Sequence, residues 1–238
     1  DIKNPIDPDD NSKLEILFEK MSKSKYNGID PETVIKKYGA DTARMFILFK
    51  APPEKDLEWG DSDVEGQFRF LSKVWKFYYE YINQLISKKN NIQQGSNEKN
   101  ILRSMNIAIK EISNDIENNQ FNTAISELMK FYNAISQDFK NISSSLQKTI
   151  LQNFCILLAP FSPHISEELW HLLGYKDSVH LQSWPAYDLK AITLNSYELV
   201  IQINGKVRDK IMISTDASED IIKQKSLKSP NVIRWINN

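Results

Sequence analysis

The sequence predicts a mainly α fold. An antiparallel helical bundle forms its centre, a short segment built around a lysine loop precedes it, and a small α+β piece follows it. Three observations carry this. Apolar residues recur at alternating steps of three and four through four long stretches between Asp61 and Ala159, the period of one helix face. The 238 residues include only seven glycines, too few for a turn-rich all-β chain. The period changes to two only near the end, on either side of Asn204-Gly205, which marks a hairpin.

Composition narrows the class. Hydrophobic residues make up 41% and charged residues 26%, as in ordinary globular domains. No apolar run approaches the roughly 18 residues of a membrane span, and no basic-then-apolar leader opens the chain. A cytoplasmic location without a membrane partner is expected. The single cysteine, Cys155, lies in an apolar run and has no partner for an internal disulfide, which suits a reducing compartment. With one cysteine and His164, His171 and His180 as the only histidines, no bound metal is expected. The net charge is −1, so any contact with nucleic acid must rest on local patches.

Residues 1–12 are rich in Asp, Asn and Pro and read as a loop or a cut end of a longer protein. A short edge strand is expected over Leu14–Phe18. Next comes Phe18-Glu19-Lys20-Met21-Ser22-Lys23-Ser24-Lys25-Tyr26-Asn27-Gly28, where lysines alternate with small hydroxyl residues. Nothing in it anchors a core, so it reads as mobile. It is either a solvated loop or a grip on a polyanion, with ammonium, hydroxyl and backbone N–H groups gathered around phosphate oxygens. Asp30 and Pro31 then start a helix as N-cap and first position. Val34, Ile35 and Tyr38 give its apolar face, and Gly39 ends it. Asp41 is expected to cap a second helix, Thr42 to Phe49, stopped by Pro52-Pro53. Arg44 lies on that helix, facing solvent or bracing the loop.

The bundle is expected over residues 61–174. Val64, Phe68, Leu71, Trp75, Tyr78, Ile82 and Leu85 form a heptad seam on a first long helix. Asp61 and Asp63 at its start and Lys88-Lys89 at its end suit the helix dipole. Asn90 to Asn97, with Gly95, is a loop. A second helix runs from Glu98 to Glu117 through Ile101, Leu102, Met105, Ile109, Ile112 and Ile116. A third, Asn122 to Lys140, carries Ile125, Leu128, Tyr132, Ile135 and Phe139. A fourth, Ser144 to Ala159, carries Leu146, Ile150, Phe154 and Leu158. The aromatic stripe reads as core rather than as a base-stacking platform. Pro160 stops the fourth helix, Ser162 caps the next, Pro163 opens it and Gly174 ends it. His164 with Glu167 or Glu168 is a possible acid/base pair, equally explained as a cap-proximal histidine beside a charged first turn. No nucleophile accompanies it.

Residues 175–196 read as an irregular linker and 197–238 as a small domain. Leu199, Ile201 and Ile203 alternate, Asn204-Gly205 turns, and Val207 to Ile213 return. Lys206, Arg208 and Lys210 are expected on one face of the returning strand, where they could grip phosphate and sugar. Asp216 is expected to cap a helix through Lys225, and Pro230 to open a last one through Trp235.

Lys20-Met21-Ser22-Lys23-Ser24 resembles the KMSKS signature of class I aminoacyl-tRNA synthetases. Asn27-Gly28-Ile29-Asp30-Pro31 and Tyr38-Gly39-Ala40-Asp41-Thr42-Ala43-Arg44 are similar to the branch that handles Leu, Ile and Val. So are Asp56-Leu57-Glu58-Trp59, Val64-Glu65-Gly66, Arg69-Phe70-Leu71-Ser72-Lys73-Val74-Trp75 and Leu158-Ala159-Pro160-Phe161-Ser162-Pro163-His164-Ile165-Ser166-Glu167-Glu168-Leu169-Trp170. Asn204-Gly205-Lys206-Val207-Arg208 resembles the start of the small C-terminal domain of the bacterial-type leucyl family.

This resemblance implies an aminoacyl-tRNA ligase parent that activates leucine with ATP and Mg2+ and transfers it to tRNA(Leu). Residues 1–60 would hold the KMSKS loop and a stem-contact segment. Lys23 and Lys20 would be the catalytic charges, with Met21, Ser22 and Ser24 beside them at the ATP. The bundle would be the anticodon-binding domain, with Arg69 and Lys73 touching tRNA. Lys206, Arg208 and Lys210 would do so in the tail. The nucleotide fold with its HIGH signature and the editing domain are absent from the sequence, as is a final tail strand. The chain is therefore expected to be a C-terminal fragment, a monomer, and not catalytic alone. A fragment of an isoleucine or valine enzyme is the nearest alternative, although neither a Cys-rich zinc module nor a long coiled coil is present. A non-catalytic helical RNA-binding module and a bundle with no RNA role are the others.

Overall fold

The computed structural model describes residues 5–15, 17, 19–86, 98–193, 196–215 and 217–236. They divide into two units, Asp1–Ala186 and Tyr187–Asn238.

In the first unit the edge strand expected over Leu14–Phe18 does not form among the described residues. Leu14, Glu15 and Leu17 pair with no strand, and only an isolated bridge joins Ile6 to Lys13; Ile16 and Phe18 lie outside the described residues. Helix α1 spans Pro31–Tyr38. The Asp30 carboxylate caps it, accepting from the Glu32 N–H at 3.1 Å and the Thr33 hydroxyl at 2.9 Å. The Thr33 and Glu32 donors hold that carboxyl below its ordinary range. Gly39, at φ +85°, is the whole connection to α2, Ala40–Lys50. A side chain is rarely tolerated there.

The bundle follows as α3 (Asp61–Ile86), α4 (Glu98–Glu117), α5 (Phe121–Asp138) and α6 (Ser144–Leu158), with α7 (Pro163–Leu172) packed against its end. The third helix stops earlier than expected, because Phe139–Asn141 tightens into a 3-10 turn. Gln147 then donates from Nε2 to the Phe139 carbonyl at 2.7 Å, satisfying one of the acceptors a helix end leaves open. The expected loop Asn90–Asn97, Lys88, Lys89 and the side chain of Leu85 lie outside the described residues.

The seam expected on α3 is out of phase. Val64, Leu71 and Tyr78 are buried, but Phe68 and Trp75 are 43% and 40% exposed, and Gln67, Phe70, Val74 and Tyr81 are buried instead. Both sets fit a helical period, since each ring lies next to a buried position. Apolar character alone did not fix which stripe faces inward. On α4, α5 and α6 the expected positions do face the core: Ile101, Met105, Ile109, Ile112, Ile125, Leu128, Ile135, Leu146, Ile150, Phe154 and Leu158 are buried.

Several rings meet within an otherwise aliphatic core. Phe77 meets Phe139 edge-on at 4.6 Å and Tyr132 at 5.7 Å, the separations such pairs favour. At the centre Tyr78 is fully buried, its hydroxyl donating to the Leu151 carbonyl at 2.7 Å. The Cys155 thiol donates to the same hydroxyl at 3.4 Å. Burial pushes the Tyr78 hydroxyl up, and pushes the Cys155 thiol up to about 12.

Residues 175–193 are less irregular than expected. Val179–Leu181 is a 3-10 turn with Val179 buried, and Trp184 donates from Nε1 to the Ser113 hydroxyl on α4 at 2.8 Å. The short helix α8, Leu189–Ile192, belongs to the second unit.

In that unit β1 (Ser196–Ile203) and β2 (Lys206–Ser214) pair antiparallel. Asn204 and Gly205 have φ of 52° and 73°, the two positive values of a type I′ turn. Helices α9 (Glu219–Leu227) and α10 (Pro230–Ile236) pack on β2. Ser218 caps α9, two residues past the expected Asp216, which lies outside the described residues. Ile213 and Val232 are buried in this unit.

Two consequences are measurable. Tyr78→Phe removes the hydroxyl that links the Leu151 carbonyl and the Cys155 thiol in the core and is expected to cost about 1–2 kcal/mol in urea unfolding. With its pKa near 12, about one Cys155 thiol in ten thousand is ionised at pH 8. A thiol-disulfide reagent should therefore modify the native chain only as fast as it opens, and the urea-unfolded chain at once.

Candidate functional site

The lysine loop is tied to itself rather than to a core. Lys23–Lys25 form a 3-10 turn with no buried residue. Tyr26 follows in the left-handed region at φ 51°. The side chain of Asn27 closes the loop: its Oδ1 accepts from the Ser22 N–H at 2.9 Å and its Nδ2 donates to the Lys20 carbonyl at 3.3 Å. The Ser22 and Ser24 hydroxyls lie 3.3 Å apart. The cations are not equivalent. Lys25 pairs with Glu19 at 2.5 Å, whereas Lys20 and Lys23 are exposed and pair with no carboxylate among the described residues. Two ammonium groups and two hydroxyls thus stand on one small loop, a donor set for a polyphosphate. Sequence reasoning passed over Asn27, which appeared only as part of a motif.

What holds this loop to the bundle is a clamp on α2. Asp41 does not cap its own helix. Its nearly buried carboxylate accepts from the backbone N–H groups of His164 at 3.3 Å and Ile165 at 2.6 Å, so it caps α7 from 123 residues away. The His164 Nδ1 lies 2.8 Å from the same carboxylate and donates to it. Ser162, the expected cap, turns its hydroxyl to the Met45 sulfur at 3.6 Å. One turn along α2, Arg44 donates from Nε at 3.2 Å and Nη2 at 2.9 Å to the Pro160 carbonyl. The anion therefore meets the N-terminus of α7 and the cation the carbonyl just past α6, the signs that helix ends favour. Arg44 braces the bundle corner; it neither faces solvent alone nor reaches the loop.

Around the clamp, Val34, Phe46 and Val64 form a second small core, with Trp59 edge-on to Phe46 at 4.9 Å. An apolar cavity of about 420 Å³ opens between α1 and α2, lined by Ile29, Val34, Ile35 and Ile47, with Arg44 its only charge. Such a lining does not suit a phosphate group.

The proposed acid/base pair does not form. His164 is committed to Asp41. Glu167 accepts from the Ser178 hydroxyl at 3.0 Å and the Val179 N–H at 2.9 Å, and lies 3.4 Å from His171 Nε2 and 4.0 Å from His180 Nε2. Burial works against its charge. The Val179 and Ser178 donors and the two imidazoles outweigh burial and bring its pKa below the ordinary value. The Tyr175 carbonyl, which accepts from His171 Nδ1 at 2.8 Å, raises that imidazole, with help from Glu167.

Arg69 and Lys73 stand on the exposed side of α3, Arg69 in a loose pair with Glu65 at 3.9 Å. The three tail cations do not share a face. The register shifts between Ile201 and Gln202, so Ile201 faces Asp209 while Gln202 faces Val207. Arg208 is the extra residue of a β-bulge, and a bulge breaks alternation. Lys206, opposite Ile203, and Lys210, opposite Val200, therefore lie on opposite faces. Lys210 pairs with Glu198 at 2.8 Å, and the Arg208 guanidinium sits 3.5 Å over the Trp235 ring.

Comparison with known proteins places this arrangement. The family of class I tRNA synthetases (I, L, M and V) matches residues 18–60, the lysine loop with α1 and α2. The family described as the anticodon-binding domain of tRNA ligase matches residues 98–223, more than half of the chain. The chain belongs to the tRNA ligase anticodon-binding family. Within this family, the matched stretch runs from α4 into α9 and takes in the tail hairpin.

Leucine–tRNA ligase of Prochlorococcus marinus strain AS9601 is 67% identical over 235 residues, 99% of this chain and 27% of that protein. Its counterpart in strain CCMP1986 is 66% identical over 238 residues, 28% of its length. The chain thus spans about a quarter of these curated relatives. A solved structure, the Agrobacterium radiobacter K84 agnB2 LeuRS-tRNA-LeuAMS ternary complex, matches with a TM-score of 0.77 at 30% identity. It covers 92% of this chain and 29% of its own.

Asp41→Ala strips the N-terminus of α7 of its acceptor and is expected to lower urea stability by about 2 kcal/mol. An unchanged midpoint would contradict the cross-cap. Stability from the depressed Glu167 is present above the ordinary carboxylate range and lost as pH falls through its lowered pKa. That from the raised His171 is present in acid and lost as pH rises through its folded value. The thermal-midpoint difference between the chain and Glu167→Gln should therefore peak near about pH 5–6 and shrink on either side.

Proposed function

We propose that this chain is the part of a leucine–tRNA ligase that joins an ATP-contacting loop to tRNA-binding helices. The carrying observation is that a KMSKS-type loop with two lysines that pair with no carboxylate among the described residues and an anticodon-binding bundle occur in one chain 67% identical to a leucine–tRNA ligase. That identity favours leucine over isoleucine or valine.

In the parent reaction a leucine carboxylate oxygen attacks the α-phosphorus of ATP. Pyrophosphate departs with the electron pair of the broken P–O bond, leaving leucyl-adenylate. A ribose hydroxyl at the tRNA end then takes the leucyl group and releases AMP. Negative charge grows on the pyrophosphate as it departs. Lys23, with Lys20 as auxiliary, would meet that charge, while Ser22, Ser24 and the Met21 backbone would complete the loop around the triphosphate. Asn27 holds the loop ends together, so its cations need little reorganisation to act. Mg2+ is proposed to arrive with the nucleotide; among the described residues no group of three metal-ligating side chains could hold it.

By this reading residues 1–60 supply the loop and stem contact, 61–174 the anticodon-binding bundle, and 197–238 a tRNA-contacting tail, joined by 175–196. Arg69 and Lys73 would meet tRNA from the bundle. Lys206 and Lys210 would meet it from two sides of the hairpin, with Arg208 buttressed by Trp235. The remainder of the parent would supply the leucine pocket. No described helix is long and apolar enough to cross a membrane, and a monomeric cytoplasmic ligase is proposed.

Lys23→Ala in the full-length ligase is expected to lower ATP–pyrophosphate exchange by about two to three orders of magnitude. A rate within about tenfold of the unmodified enzyme would remove the lysine from the chemistry. The chain itself is expected to bind a tRNA(Leu) transcript more tightly than a tRNA(Ile) transcript. Its log affinity should fall against log salt by about 0.7–0.9 per neutralised phosphate.

A further inference from the structure

The outer side of α3 carries rings where a bundle helix ordinarily carries polar residues. Phe68, Trp75 and Tyr79 are 43%, 40% and 54% exposed. At about 100° per residue their steps of seven and four keep them within a band about 40° wide, some 16 Å long. Arg69, Lys73 and Lys76 fall in a second band, about 100° around the same helix. Rings and cations therefore form two parallel ridges. The cations are weakly engaged: Arg69 and Lys76 stand 3.9 Å from Glu65 and Glu80. Lys73 has no carboxylate within ion-pair distance among the described residues.

We propose that this face of α3 is a stacking surface for unpaired RNA bases, with Trp75 at its centre and Arg69, Lys73 and Lys76 taking the phosphates of the same strand. A protein partner would be served by the rings alone. A ridge of loosely held cations beside them adds what a nucleic-acid strand needs, a π-face for each base and positive charge for each phosphate. The length of the ring band matches about four to five nucleotides at ~3.4 Å each. The inference rests on the tRNA-binding reading and adds residues to it.

The test separates stacking from charge. Binding of a labelled tRNA(Leu) transcript to the full 238-residue chain is followed by fluorescence anisotropy at about 50 and about 200 mM salt. Trp75→Ala is expected to weaken binding roughly tenfold or more at both salts without changing the salt slope, and Trp75→Phe to restore most of it. Tyr79→Ala provides the same readout should Trp75→Ala fold poorly by circular dichroism. Lys73→Ala should instead lower the slope by about 0.7–0.9. Ring variants within about twofold of the unmodified chain, or a slope change like that of Lys73→Ala, overturn the stacking surface while leaving the tRNA reading in place. If the unmodified chain fails to bind the transcript at the lower salt, the tRNA reading falls together with it.

Discussion

The first unit depends on one clamp, in which α2 grips the corner between α6 and α7. Helix ends are where backbone polarity is left over. At this corner the carbonyl past α6 and the N–H groups opening α7 meet a guanidinium and a carboxylate one turn apart on a third helix. Because Gly39 alone separates α2 from α1, and few residues separate α1 from the lysine loop, the grip fixes one end of that loop relative to the bundle. Water could satisfy the corner's backbone groups as well, but would not join these helices to each other. The clamp thus adds connection more than raw stability, since charge-assisted hydrogen bonds to helix ends are individually modest.

The loop shows how a cluster of like charges is sorted by its neighbours. Lys25 is neutralised by Glu19, while Lys20 and Lys23 meet no carboxylate among the described residues, around a turn closed by Asn27. An amide bridging a backbone donor and a backbone acceptor gives the turn a fixed shape without burying anything.

Much of this was legible beforehand, and the failures have physical causes. Helix positions on α4 and α5 followed from periodicity because polar residues flank their apolar stripes, and on α6 because the expected positions fall within a broader buried face. On α3 the apolar residues cover about 200° of the helix, wider than the stripe that is buried. Periodicity found the helix but not its phase, so Phe68 and Trp75 were assigned to the core. The caps within α1 were readable because Asp30 serves its own helix. Asp41 obeys the same chemistry on a helix 123 residues away, and nothing local distinguishes the two aspartates. Asn204-Gly205 announced its turn correctly. No residue type announced the bulge that follows, since Arg208 is ordinary in a regular strand.

That bulge reaches beyond this one hairpin. A strand is a two-state register in which each added residue exchanges inside for outside. The extra place taken by Arg208 resets that register between the turn and the rest of β2. Two relatives that differ here by a single insertion or deletion could carry the same residues beyond it and still present them on opposite sides. For this hairpin, likeness of letters is a poor guide to likeness of surface, and chemical comparison with relatives has to be made pair by pair across the ladder.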